Sequence, residues 1–266
     1  MWLRCPARDL TTWAGSLPRL LSGSLRGVIL DGLLPPEVAL RLVGRLQQDR
    51  TLPRIPVGGQ LIGESLGLSL DRAVGPHQDD YLSSARTLHE RLSTLTTGRS
   101  LDTLLAAALS MMARPMPVSL AEARGLPRAP LVFRRLPRGG CIPPHAELEQ
   151  LARRPYDGFR EQLDDTTLLS FFICLQQPAS GGVLRVHELS WSDYDRSADR
   201  GGHSQPAAQL RGVSHTDRLL KTGSLVVFDG GRWFHEVTPV IGEQERWTAG
   251  GFLARRCSGD GVLYWS

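Results

Sequence analysis

The sequence predicts an α+β, mainly β protein: a double-stranded β-helix core, jelly-roll and cupin-like, with an N-terminal helical part packed on it. Three observations predict this. Up to about residue 129 apolar residues recur at helical spacing. From Leu131 onward the texture changes to short apolar runs punctuated by Gly and Pro, the pattern of antiparallel strands. With 266 residues the chain can bury one large core, and a single barrel-type β domain wrapped by helices fills that length.

In chain order, residues 1–25 carry Trp2, Trp13, Leu17 and Leu20, which are expected to cover the core from outside. Pro35-Pro36-Glu37 then precedes Val38, Leu40, Leu42, Val43 and Leu46, a helix with proline in its first turn. A Pro/Gly-rich loop is expected from Thr51 to about Gly75. Asp79 and Asp80 introduce Leu82, Ala85, Leu88, Leu92 and Leu95, a second amphipathic helix whose acids complement its positive end. Ser100 caps a third helix over 101–112. Strands are expected at 131–136, 141–147, 167–176, 182–188, 224–229, 236–240 and 246–254. The polar segment 191–222 is too long for a plain connection and reads as a lid or a disordered insertion that, with the helical half, sets specificity. One domain is expected: helical support over 1–129, the core over 130–256 and a tail over 257–266.

Composition excludes several classes. The net charge is +4, but the basic residues are scattered, Lys221 is the sole lysine, and no basic run or aromatic-interleaved stripe appears. Nucleic acid is therefore not an expected partner. Cys5, Cys141, Cys174 and Cys257 form no Cys-x-x-Cys pair, against a zinc knuckle or a disulfide scaffold, and fit a reducing compartment. The first residues lack a basic start followed by an apolar core, and no apolar run reaches membrane-span length. A soluble cytoplasmic protein without a membrane partner is expected. No oligomeric state is predicted.

The chemistry concentrates in three short stretches. Residues two apart in a strand face the same way, so His145 and Glu147 are expected to share one space. His235 lies past the apolar run 223–229 and the Gly230-Gly231 turn. Two neutral imidazoles and a carboxylate on one face of an octahedral ion leave three cis positions open, which suits non-haem iron(II) and O2; structural zinc closes its shell with four ligands. Arg246 and Thr248 share a face of the following strand, and the planar fork of arginine matches a carboxylate. His77, His89, His187, His203 and His215 are expected away from the metal, with His187 able to reach it only through a bulge. Cys141 and Cys174 are expected to be apolar fillers, while Trp233 and Phe234 flank the distal histidine. Whichever of Arg134 and Arg135 faces inward would meet an acidic group.

With these residues the chain resembles the iron(II)- and 2-oxoglutarate-dependent dioxygenases, whose pattern is His-x-Asp/Glu, a distal His, then Arg followed at two residues by Ser or Thr. Gly181-Gly-Val-Leu-Arg-Val186 and Ile29-Leu-Asp-Gly-Leu-Leu-Pro-Pro-Glu37 are similar to stretches of the prolyl-hydroxylase-like branch. Phe234-His235-Glu-Val-Thr-Pro and Arg246-Trp-Thr-Ala-Gly-Gly-Phe252 are similar to carrier-independent amino-acid hydroxylases and halogenases. The resemblance implies iron(II) on His145, Glu147 and His235, 2-oxoglutarate anchored by Arg246 and Thr248, O2 as oxidant and ascorbate as reductant. It implies hydroxylation of a small molecule, an amino acid or natural-product intermediate, with succinate and carbon dioxide released. Desaturation, ring formation, epimerisation and peptide hydroxylation use the same iron and stay open, as does a non-catalytic module holding a metal and a small acid. Two departures stand out. Halogenating members carry Gly or Ala where this chain has Glu147, so the intact carboxylate implies oxygen transfer. Leu136 occupies the place of a Tyr that touches 2-oxoglutarate in many relatives.

Overall fold

The computed structural model describes all residues except 57–62, 74–79, 97–99 and 200–203. Two sheets face each other across a cavity lined by both. The larger runs in the order Trp2–Pro6, Gly27–Asp31, Leu225–Phe228, Leu169–Gln176, Arg246–Arg255, Val132–Leu136, Glu64–Leu66, Arg54–Pro56. Val262–Trp265 adds to it by pairing with the second half of Arg246–Arg255. The smaller sheet runs His215–Arg218, Leu184–Ser190, Trp233–Val237, Ile142–His145. Apart from the parallel pairs Trp2–Pro6 with Gly27–Asp31 and Val118–Leu120 with Val262–Trp265, neighbouring strands are antiparallel. This is the expected jelly roll.

Leu225-Val-Val-Phe228 is buried on both faces because one side meets the cavity and the other the helical layer, which explains its unbroken apolar run. Helix Pro36–Gln48 buries Ala39, Leu42, Val43 and Leu46 and leaves Leu40 to solvent, as helical spacing dictates. Helices Asp80–Leu95 and Leu101–Ala113 complete that layer, joined with the larger sheet in one apolar core. Ser100 is the N-cap residue, but its hydroxyl bonds Thr103 Oγ1 at 2.8 Å rather than a backbone amide. Among the described residues no helix is long and apolar enough to cross a membrane. All four cysteines are free.

Several expectations need correction. The supposed loop after Thr51 contains strands Arg54–Pro56 and Glu64–Leu66 and a 3-10 turn, Leu70–Arg72, because strand Val132–Leu136 supplies ladder partners that local sequence does not reveal. The strand carrying His145 stops there, and Glu147 opens a 3-10 helix, Glu147–Ala152. His235 lies in the middle of strand Trp233–Val237, not before a strand at 236. Residues read as a tail include the strand Val262–Trp265. Segment 191–222 contributes a 3-10 turn, Arg196–Ala198, and the strand His215–Arg218. Its Trp191 and Tyr194 stack on each other and pack at a tilt against buried Phe234, and none of its described residues lines the cavity. His77, Asp79 and His203 lie outside the described residues.

Asp49 fastens the helical layer. It is buried at the end of helix Pro36–Gln48, accepts from the backbone amides of Thr51 and Leu52 at 2.7 and 3.1 Å, and pairs with Arg91 Nε at 2.8 Å. Burial alone would raise its pKa, but these donors outweigh it and bring the value down to about 2. A carboxyl with a depressed folded pKa stabilises above its unfolded value and loses that contribution as pH falls from about 4 towards 2, here on the order of 2 kcal/mol. Urea unfolding of Asp49→Asn is therefore expected to show lower stability than the parent at pH 6 and a flatter profile between pH 4 and 2. Parallel profiles would contradict this role.

Candidate metal centre

Three elements bring the donors together. His145 and His235 are cross-strand partners in the smaller sheet, with ring centroids 4.3 Å apart. Ala146 keeps extended dihedrals, φ −125° and ψ 133°, so the chain stays straight long enough to carry Glu147 onto the same side. The Glu147 amide donates to the Gly230 carbonyl at 2.9 Å, fixing the carboxylate against the turn that precedes His235. Glu147 Oε1 lies 3.4 Å from His145 Nε2 and 3.5 Å from His235 Nε2. Ligand atoms of the three residues all fall within 4.8 Å of one another.

The donor chemistry fits a cation. His145 Nδ1 donates to the Pro143 carbonyl at 2.8 Å and His235 Nδ1 to the Trp233 carbonyl at 3.0 Å. A carbonyl only accepts, so each neutral ring carries its proton on Nδ1 and offers the Nε2 lone pair to the centre. Burial opposes ionisation of Glu147, yet in the metal-free site the protonated forms of His145 and His235 outweigh it and hold the carboxyl well below the usual range. Burial also lowers the pKa of His235; at His145 the facing Glu147 overcomes it and raises the value. Ser170 Oγ donates to Glu147 Oε1 at 3.2 Å, and the Gln150 amide donates to Oε2.

Gly230 has no side chain for a steric reason. A Cβ there would lie 2.4 Å from Ser170 Oγ and 3.2 Å from both Glu147 Cγ and His235 Cε1. Gly230→Ala must turn Ser170 off Glu147 or displace a ligand. Metal titration of that variant is expected to show about tenfold weaker binding, the scale of losing an outer-shell contact. Unaltered affinity would contradict the packing reading.

Arg246 and Thr248 lie on the cavity face of strand Arg246–Arg255, both buried. Arg246 has no hydrogen-bond or ion-pair partner among the described residues, its Nε is an orphaned buried donor, and its guanidinium lies 5.2 Å from the Phe172 ring. Burial without a counter-charge brings its pKa down to about 10. Arg134 is the inward member of its pair: it lines the cavity directly opposite Thr248, and its Nε is also orphaned. Arg135 points away, to Glu64 and Glu245. Leu136 brings only apolar surface, beside Val237 and Val240.

The cavity encloses about 630 Å³ of empty space when its open mouth is counted. Phe172, Leu184, Phe228, Val237 and Phe252 make most of it apolar. His187 does not line it; its Nε2 lies 3.3 Å from Glu236. Cys174, fully buried, has its thiol pushed up to about 11 by burial. Gln150 and Ser170 escaped sequence reasoning. Gln150 stands three residues after Glu147, one turn of a short helix, but nothing local announced that helix.

Comparison with known proteins follows the same lines. An N-substituted L-amino acid dioxygenase from Burkholderia ambifaria, in complex with alpha-KG, superposes with a TM-score of 0.59 at 12% identity, covering 96% of this chain and 92% of that one. Another structure of an N-substituted L-amino acid dioxygenase from that organism gives 0.60 at 12% identity, covering 98% and 91%. Likeness at such identity establishes the fold alone. No curated protein sequence matches. The sequence model of the carrier-protein-independent halogenase WelO5 matches residues 1–266. The chain belongs to the WelO5 halogenase family, and with it to the iron(II)- and 2-oxoglutarate-dependent oxygenases.

Proposed function

We propose that this protein hydroxylates an unactivated C–H bond of a small molecule, coupling the reaction to oxidation of 2-oxoglutarate. The observation that carries the reading is the intact Glu147 carboxylate between two imidazoles, in the position that halogenating relatives leave vacant for chloride. Iron(II), when bound, supplies the activation of O2 and the one-electron chemistry at the C–H bond. The balance is substrate, 2-oxoglutarate and O2 to hydroxylated substrate, succinate and carbon dioxide.

The chain's own residues bind and orient. His145 Nε2, His235 Nε2 and Glu147 Oε1 would hold the metal, leaving three positions on the cavity side. Arg246 would take the distal carboxylate of 2-oxoglutarate, with Thr248 adding a hydroxyl. Its orphaned guanidinium supports this, because an anion there restores a buried cation's missing partner. Arg134 adds a second cation beside Thr248, where Leu136 offers no hydrogen bond. Phe172, Phe228 and Phe252 exclude water. A small substrate suits the cavity, and its selectivity would reside in the sheet residues that line the cavity, not in segment 191–222.

Family membership favours a second reading, halogenation at the same centre. One experiment separates the two. The purified protein is incubated with iron(II), ascorbate, chloride, labelled 2-oxoglutarate and a panel of amino acids and natural-product intermediates. Succinate with a product heavier by one oxygen is expected; a chlorinated product would overturn hydroxylation. Absence of succinate and of oxygen consumption across the panel, with metal bound, would instead indicate a binding module.

A further inference from the structure

Glu147 is one methylene longer than aspartate, and a carboxylate on a longer arm can swing and bind a metal through both oxygens. The structure places a restraint against that motion. Gln150, one turn on in the 3-10 helix Glu147–Ala152, is buried and donates its side-chain amide to Glu147 Oε2, the oxygen turned away from the imidazoles. Tyr156, fully buried, donates its hydroxyl to Gln150 Oε1 at 3.3 Å. Trp265, on the strand Val262–Trp265, directs its indole N–H at the Tyr156 oxygen from 3.5 Å.

The direction of this chain is fixed at its carboxylate end. An indole N–H only donates, so the Tyr156 oxygen accepts from it and keeps its own proton to give to Gln150 Oε1. Burial holds the phenol pKa well above its ordinary value, so that proton stays in place. A carboxylate only accepts, so the Gln150 NH2 faces Glu147 and its Oε1 accepts from Tyr156; a flipped amide would set two acceptor oxygens against each other.

We infer that Gln150 is a positioning residue: it occupies Glu147 Oε2 so that the carboxylate offers a metal Oε1 alone, and Tyr156 and Trp265 lock Gln150 in that orientation. This rests on the metal-site reading above. Its consequence is vacancy. A one-oxygen carboxylate with two imidazoles leaves three of six octahedral positions, two for the keto acid and one for O2. A two-oxygen carboxylate leaves two, so 2-oxoglutarate can chelate only by filling the last position open to O2 or by competing with a carboxylate oxygen.

Cobalt(II) is the probe, because its visible absorption reports coordination number without turnover. Cobalt-loaded full-length protein, Gln150→Leu and Tyr156→Phe would be compared by absorption spectrum, 2-oxoglutarate titration and thermal unfolding. Gln150→Leu keeps a side chain of similar size without the donor. It is expected to alter the cobalt spectrum and weaken 2-oxoglutarate binding about tenfold, the scale of outer-shell changes. Tyr156→Phe should move both readouts the same way and less. A folded Gln150→Leu with the parental spectrum and 2-oxoglutarate affinity overturns the inference, whether or not its melting temperature falls; if that variant does not fold, Tyr156→Phe decides by the same criteria. Wild-type protein that binds neither cobalt nor 2-oxoglutarate would overturn the metal-site reading itself.

Discussion

His145→Ala is expected to leave the fold intact while lowering metal affinity by more than about a hundredfold, since even outer-shell changes cost about 10- to 100-fold and this removes a donor outright. The fold should tolerate it because the ring is 29% exposed and sits at the end of a short strand. Two effects add. The Nε2 lone pair is lost, and Glu147 keeps a single imidazole, His235, to offset its burial. His235→Ala should cost at least as much binding, and stability besides, because that ring is buried and packs edge-on against Phe228 at 4.8 Å. Calorimetric titration with iron(II) under anaerobic conditions, alongside circular dichroism, measures both. Parental affinity in a folded His145→Ala protein would remove the metal centre from further consideration.

Arg246→Leu is expected to separate binding from stability. Truncating one partner of a buried charge pair costs about 2–5 kcal/mol, or roughly 30- to 4000-fold in affinity, so 2-oxoglutarate binding should collapse. The ligand-free protein should behave in the opposite sense. Its guanidinium is buried without a described counter-charge, and burial already brings its pKa down to about 10, so an apolar side chain of similar bulk removes a desolvation penalty. Melting temperature without ligand should hold or rise while the stabilisation by added 2-oxoglutarate disappears. Arg246→Lys keeps the charge but not the planar fork, and should recover only part of the affinity. A variant that loses stability and keeps 2-oxoglutarate binding would show that Arg246 serves packing instead.

Much of the protein was legible in one dimension because its information is local. Helical spacing gave the helices at Pro36–Gln48 and Asp80–Leu95 almost to the residue, since each buries one stripe on a single layer. The strand Arg246–Arg255 and the shared face of Arg246 and Thr248 followed from simple alternation. Non-local pairing was not legible. Glu64–Leu66 and Val262–Trp265 are strands because Val132–Leu136 and Arg246–Arg255 offer open edges, a property of the assembled sheet. Segment 191–222 looked like a lid because it is polar and long, yet its aromatic residues found a partner in Phe234 on the side of the strand away from the cavity.

By itself the sequence singled out five side chains that the fold brings to one cavity, His145, Glu147, His235, Arg246 and Thr248, because residue type and spacing are written in the chain. Only the tertiary structure decided that Arg134 and not Arg135 faces the cavity, and that each histidine gives its Nδ1 proton to a carbonyl. It also decided that the Glu147 carboxylate is pinned at both oxygens by Ser170 and Gln150. Those outcomes depend on strand register, the extended backbone kept at Ala146 before the 3-10 helix begins, and the arrival of Trp265 from the far end of the chain. None of these has a local energetic signature, since each arises only when distant segments pack and must satisfy one another's buried polar atoms.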